Sequence, residues 1–230
     1  MKKLAIIPAR GGSKRITKKN IKSFLGKPII AYSIERALES KLFDEVIVST
    51  DDKDIAEIAI KYGAKVPFLR SLKNSDDHAT TIDVIEEVLN EYKVLNKFFD
   101  YTCCIYPCAP FIRVENLQNS FLKLELNDYD CVFPIVRFSF PIQRAVKINQ
   151  SGRVVMFQPE YMQTRSQDLE ASFHDVGQFY FMNTSRIIKF RKLWTDNTGY
   201  IELSEIESQD IDTISDWKLA ELKYKIINNL

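Results

Sequence analysis

The first twenty residues constrain this chain more than any other stretch. An apolar run from Leu4 to Ile7 has the length and composition of a buried strand, and Pro8, which has no N–H to donate, stops the ladder there. A loop follows. In it Gly11 and Gly12 let the backbone bend and approach a ligand, while Arg10, Lys14, Arg15, Lys18 and Lys19 place five cations within ten residues. A strand that opens into such a loop is how α/β proteins hold phosphates, with free backbone N–H groups and cationic heads turned into one concavity. A solvated basic turn has the same composition, so the loop alone leaves both readings open. The residue order is neither Gly-x-x-x-x-Gly-Lys-Ser/Thr nor Gly-x-Gly-x-x-Gly, which sets aside the P-loop and dinucleotide fingerprints.

Downstream, strand and helix patterns alternate. Pro28 opens a helix with Ile30, Ile34, Ala37 and Leu38 on one face, and Glu45 to Ser49 reads as a second strand. Thr50, Asp51 and Asp52 supply caps for a helix whose Ile55, Ile58, Ala59 and Tyr62 form a stripe ended by Gly63. Lys65 to Phe68 reads as a short third strand, and a helix from about Thr80 turns Ile82, Ile85, Leu89 and Tyr92 inward. Tyr101 to Tyr106 is a fourth strand, backed by a helix carrying Leu117, Phe121 and Leu124. This spacing predicts an α/β fold of three layers, a mostly parallel sheet with helices on both faces, and a ligand cleft at the carboxyl ends of the strands. After Cys131 to Val136 the pattern changes. The turn at Asn149 to Gly152 between two short extended runs predicts a hairpin excursion, an inserted lobe over about residues 138–163 of a single domain. Gln178 to Met182 then returns to the sheet, and Trp217, Ala220 and Tyr224 belong to a closing helix.

The charge balance narrows the partner. Lys and Arg number 32 against 31 Asp and Glu, so the basic loop is a local feature and general nucleic-acid binding is not expected. The apolar run before Pro8 is too short for a signal or spanning segment, which predicts a cytoplasmic protein with no membrane association. Cys103, Cys104, Cys108 and Cys131 show no Cys-x-x-Cys pairing and lie far in sequence from His78 and His174, so they read as small hydrophobes rather than zinc ligands.

A second constellation is Gln209-Asp210-Ile211-Asp212-Thr213. In an extended segment alternate side chains share a face, so Asp210 and Asp212 point one way and Ile211 the other. Two carboxylates suffice for Mg²⁺ when substrate phosphates and waters complete the shell. Thr213 and Asp216 also form Thr-x-x-Asp, which would start the last helix whatever the function.

The stretch Ile6-Ile7-Pro8-Ala9-Arg10-Gly11-Gly12-Ser13-Lys14 followed by Lys19-Asn20 resembles the nucleotide-binding signature of the CMP-sialic-acid synthetases, cytidylyltransferases that activate nine-carbon α-keto acid sugars. That family has an Asp-x-Asp-Thr near its C-terminus whose aspartates hold the metal, matching Asp210 and Asp212 here. The resemblance implies a nucleotidyltransferase fold, CTP and a nine-carbon sugar acid as substrates, and Mg²⁺ as cofactor. It further implies that Arg10 and Lys19 neutralise the triphosphate, and that Ala9, Gly11, Gly12, Ser13 and Asn20 line the nucleotide site. Arg70, Asn74 or Ser75, and Thr80 fall where members contact base and ribose. It implies a homodimer as well, whose inserted lobe reaches over the partner's cleft.

On the sugar side, Arg165 would pair with the sugar carboxylate, with Gln167, His174 and Asp175 beside it. Gln143 and Arg144 stand where neuraminic acid enzymes tend to present a Lys from the partner. The Thr164-Arg165-Ser166-Gln167-Asp168-Leu169 and His174-Asp175-Val176-Gly177 tracts are more similar to the pseudaminic acid branch, and Tyr106-Pro107-Cys108-Ala109-Pro110 replaces the Gln-Pro-Thr-Ser-Pro of neuraminic acid enzymes. The same reaction on N-acetylneuraminic or legionaminic acid, and a nucleotide-binding protein without turnover, are the alternatives.

Overall fold

The computed structural model describes residues 1–230. In chain order its strands are β1 (Lys3–Pro8), β2 (Ser23–Phe24), β3 (Lys27–Pro28), β4 (Glu45–Ser49), β5 (Tyr101–Ile105), β6 (Cys131–Arg137), β7 (Val146–Ile148), β8 (Val154–Met156), β9 (Phe173–Asp175), β10 (Phe179–Asn183) and β11 (Thr198–Leu203). The helices are α1 (Ile29–Glu39), α2 (Lys53–Lys61), α3 (Thr81–Val94), α4 (Val114–Leu126), α5 (Thr184–Phe190) and α6 (Ile214–Asn228). The main sheet runs β11-β6-β10-β5-β1-β4, with β9 added beside β6. β1 pairs parallel with β4 and β5, and β6 with β11, while β10 is antiparallel to both of its neighbours.

Successive residues of each strand feed opposite faces. Ala5, Ile7, Val46, Val48, Cys103 and Ile105 pack under α1, α2 and α4, whereas Leu4, Ile6, Ile47 and Cys104 pack under α3 and α5. This is the three-layer arrangement expected from the sequence. Cys103, Cys104 and Cys131 are buried thiols in these layers, and burial pushes each of them well above the usual thiol range.

Three local expectations need correction. Residues 65–68 do not form a strand: Lys65 alone bridges Ile47, through Val48 N–H to Lys65 O and Lys65 N–H to Val46 O, each 2.9 Å, and Pro67 has no N–H to extend the pairing. α1 begins at Ile29 and leaves Pro28 at its N-cap. The cap of α2 is Asp52, whose Oδ1 accepts from Ile55 N at 3.0 Å, so Asp51 is free for another task. Strand β11 and helix α5 carry no strong periodicity and emerge only from the fold.

The predicted hairpin is present as β7 paired with β8, in a lobe whose Phe140, Ile142, Val146, Ile148, Val154 and Phe157 are exposed. The chain returns through β9 and β10, which form one interrupted strand. Asp175 faces Ile135 and Phe181 faces Val132, so Val176, Gly177 and Gln178 loop out between them. Gly177 sits at φ +59°, a conformation that a side chain would strain.

Candidate active site

A third, smaller core decides where the functional loops lie. Ile16 from the basic loop, Phe111 from the loop after β5, and Ile211 between the two aspartates all bury against Phe24, Tyr32, Trp217 and Ala220. Ile16 is 3% exposed and Ile211 2%. Two apolar side chains set in polar segments therefore clamp the basic loop against the aspartate segment. Asp212 meets the loop directly: Arg15 Nη1 lies 2.6 Å from its Oδ2 and Lys19 Nζ 3.7 Å from its Oδ1. Lys19 Nζ also donates to Ile211 O at 2.6 Å. Asp210 is exposed and makes no ion pair, and its flanking Ile211 is buried, which keeps the alternation expected of this segment.

The basic loop is braced from below. Gly11 N–H donates to Asp51 Oδ1 at 2.9 Å, which is the task that falls to Asp51. A Cβ at Gly11 would lie 2.6 Å from Asp52 Oδ2, so this glycine is required by close approach, whereas a Cβ at Gly12 would meet nothing within 4 Å. Ala9 is fully buried and its N–H donates to Ser49 O at 2.9 Å, making it floor rather than wall. Asn20 is buried and donates to Arg10 O at 2.9 Å, while its Oδ1 accepts from the Cys108 thiol at 3.3 Å. Burial raises the Cys108 thiol to about 12, so it stays protonated under the pocket. Above this floor opens a cavity of about 460 Å³ lined by Arg10, Ser13, Lys14, Arg15, Lys19 and Asp77 among others.

The residues expected at the base and ribose are held by neighbouring protein groups. Arg70 is not a surface charge but is buried, with Nε donating to Ser49 Oγ at 3.1 Å and Nη2 to Ser49 O, and desolvation lowers its pKa. It braces the end of β4. Asn74 Nδ2 donates to Glu87, and Thr80 caps α3 in a reciprocal pair with Asp83. Asn74 lines a separate depression with Asp83, Glu86, Glu87 and Arg191, a carboxylate-rich surface unsuited to phosphates. Both polar side chains are engaged in local structure, because short Asn and Thr side chains satisfy neighbouring backbone and cap groups first.

The sugar-side residues gather elsewhere. Gln167 lines a cavity of about 530 Å³ with Phe138, Phe140, Ser166, Glu170 and Glu202. Nearby, Arg165 forks onto Asp168 at 2.7 and 3.3 Å. Arg144 Nη1 donates to Ser166 Oγ at 3.2 Å, and Gln143 Nε2 to Glu170 O at 3.0 Å. None of these side chains lines the basic cavity of their own chain. His174 is exposed, its ring tilted at 55° to that of Phe138 with centroids 4.8 Å apart. Asp175 is engaged within the chain: its Oδ1 accepts from Gly177 N at 2.8 Å and its Oδ2 from the Tyr180 hydroxyl, which holds the bulge in shape.

Sequence reasoning missed several neighbours. Asp77 closes on Arg10 and Lys14, and the only signal for it was an acidic pair in a polar loop. Tyr106 and Tyr180 stack edge-on at 5.6 Å, and Tyr106 Oη lies 3.3 Å from Thr81 Oγ1, so phenols run from α3 to Asp175 across the cleft floor. Burial raises both phenols, and they remain neutral donors.

Residues 4–209 match the profile of the family described as Cytidylyltransferase. The chain belongs to that family. It is 42% identical over 226 residues to "Pseudaminic acid cytidylyltransferase" of Campylobacter jejuni, covering 98% of this chain and 97% of that one. It is 34% identical to "CMP-N,N'-diacetyllegionaminic acid synthase" of Legionella pneumophila, covering 96% and 95%. Among solved structures, a CMP:2-keto-3-deoxy-manno-octonic acid synthetase complexed with CTP superposes with a TM-score of 0.72 over 100% of both chains at 19% identity, which shows the shared fold.

Proposed function

We propose that this cytidylyltransferase transfers CMP from CTP to the anomeric hydroxyl of pseudaminic acid and releases pyrophosphate. The observation that carries the reading is the cavity lined by four cations of the first loop, two of which, Arg15 and Lys19, meet Asp212, in a chain whose similarity to a pseudaminic acid cytidylyltransferase runs end to end. The anomeric oxygen attacks the α-phosphorus, the bond from that phosphorus to the bridging oxygen breaks, and inversion at phosphorus follows from a single in-line displacement. Arg10, Lys14 and Lys19 neutralise the triphosphate and hold the leaving pyrophosphate. The hydroxyl proton passes to a carboxylate of the Asp210 and Asp212 pair.

The same pair fits Mg²⁺ by its donor chemistry, because one or two carboxylates suffice for this ion when phosphate and water oxygens complete its shell, and Asp210 is exposed and makes no ion pair. Bound there, the ion would neutralise phosphate charge and lower the pKa of the attacking hydroxyl. A pyrophosphate-release assay with CTP and a panel of pseudaminic, legionaminic and N-acetylneuraminic acids tests the reading. Release with none of them would leave a nucleotide-binding protein without turnover.

Two further expectations arise here. Arg10→Ala and Lys19→Ala should weaken CTP binding about tenfold while CMP loses less, because their partners are the β- and γ-phosphates. Calorimetry with both nucleotides checks this, and equal losses would assign the two cations to base or ribose. The second concerns assembly. The exposed Phe140, Ile142, Val146, Ile148 and Val154 make an apolar face too rich for a free hairpin, and Arg165 and Gln167 stand apart from their own chain's basic cavity. A homodimer in which the lobe covers the partner's cleft accounts for both features. Sedimentation should give a dimer at micromolar concentration, and a monomer would remove the lobe from the site. A cytoplasmic location accompanies this reading, and no helix is long and apolar enough to cross a membrane.

A further inference from the structure

The cations at the mouth of the phosphate cavity already hold an anion. Arg10 Nη1 lies 2.9 Å from Asp77 Oδ1, and Lys14 Nζ contacts Oδ2 of the same carboxylate. One carboxylate thus places an oxygen on each of two cations, as a phosphate would. Asp77 sits on the irregular loop that leads into α3, and the loop does not need its side chain for shape. Asp76 Oδ1 accepts from His78 N at 2.9 Å and Ala79 N at 2.8 Å, Asp76 O accepts from Arg10 Nη1 at 2.6 Å, and Thr80 caps the helix. The Asp77 carboxylate has no partner other than the two cations, and the Lys14 hydrogen bond holds its pKa below the usual carboxylate range. The other loop cations have partners too, Arg15 with Asp212, Lys18 with Asp54 and Lys19 with Ile211 O and, more distantly, Asp212.

We propose that Asp77 is a built-in competitor for the phosphate site and determines selectivity for the triphosphate over smaller anions. This rests on the reading that the cavity receives the phosphates of CTP. Any anion that enters must displace a carboxylate tethered beside its cations, which therefore competes at high effective concentration. A small phosphate exchanges one anion for another and gains little. A triphosphate extends past Arg10 and Lys14 toward Lys19, which is held by the neutral Ile211 O at 2.6 Å and only distantly by Asp212 at 3.7 Å, and so gains more than a small phosphate does. After transfer, Asp77 re-occupies Arg10 and Lys14 as pyrophosphate leaves, which shortens product residence. Asp77 is half-exposed, so the competition is modest and screened by salt.

The test is calorimetry on the full chain with inorganic pyrophosphate, orthophosphate and CTP, comparing the natural protein with Asp77→Asn and Asp77→Ala. Both variants should bind pyrophosphate about three- to tenfold more tightly at low salt, with the gain shrinking at high salt. Orthophosphate should gain proportionally more than CTP. Unchanged or weaker pyrophosphate binding with CTP binding intact would overturn the proposal and make Asp77 a residue that orients Arg10 and Lys14. Loss of CTP binding in the natural protein itself would instead overturn the phosphate-cavity reading, and this inference with it.

Discussion

Asp212→Asn should lower turnover on the order of a hundredfold or more while the protein keeps its fold. The carboxylate is where the basic loop and the C-terminal segment meet, 2.6 Å from Arg15 and within reach of Lys19. In the reaction proposed above it takes the hydroxyl proton or would hold the Mg²⁺ that neutralises phosphate charge, and its amide replacement is neutral and a poor ligand for a hard cation. The substitution spares the surrounding structure. The cap of α6 is formed by Thr213 with Asp216, and Asp212 contributes to it only its backbone N–H, donated to Asp216 Oδ2 at 3.1 Å. Ile211 remains in the small core that fixes the segment. The check is kcat on purified protein, with thermal unfolding measured alongside. Near-normal turnover would reduce Asp212 to an ionic brace for the loop.

The second large effect concerns the sugar. Pseudaminic acid should exceed N-acetylneuraminic acid in kcat/KM by at least about a hundredfold, the discrimination that a pocket of mixed apolar and hydrogen-bonding character supplies. Pseudaminic acid differs in ring stereochemistry, in a second acylamino group and in a terminal methyl where neuraminic acid has a hydroxyl. The exposed surface near β9 suits that less polar tail: the Phe138 ring lies 4.8 Å from His174, and the phenols of Tyr106 and Tyr180 sit beside the next residue, Asp175. His174→Ala should therefore reduce sugar use without weakening CTP binding. It is a cleaner probe than Asp175→Ala, because removing the Asp175 carboxylate would also release Gly177 N and the Tyr180 hydroxyl and so relax the bulge. Comparable kcat/KM for the two sugars would leave the broader cytidylyltransferase reading without this specificity.

Legibility in the sequence followed the kind of constraint involved. Periodicities of strand and helix carried the sheet from β1 to β6 and both of its faces, because burial on a layered core enforces them residue by residue. The segment at residues 65–68 failed because one proline and a single bridge outweigh a short apolar run. Among the candidate residues, those whose character is fixed by local order were readable as motifs. The glycine-containing loop and the alternating aspartates keep their character wherever the fold sends them. The local contacts of Arg70, Asn74, Thr80 and Asp175 were not readable, because a polar side chain has the same letter whichever neighbouring group it meets. Which partner wins depends on what folding brings within about 3 Å.

The sequence by itself determined a glycine-containing basic loop at the end of a buried strand, a pair of aspartates near the C-terminus, a layered α/β core and a hairpin lobe. The tertiary structure alone decided that the loop and the aspartates face each other. Ile16 and Ile211 are nearly two hundred residues apart in the chain, and each looks like an isolated apolar residue in a polar segment until both are seen against Trp217. The structure likewise set Asp77 across two of the cations and turned Asp175 inward to Tyr180. The physical reason is common to these cases. Hydrophobic burial is roughly proportional to area and writes a repeating pattern along the chain, whereas an ion pair or hydrogen bond depends on one distance between residues that the pattern does not connect.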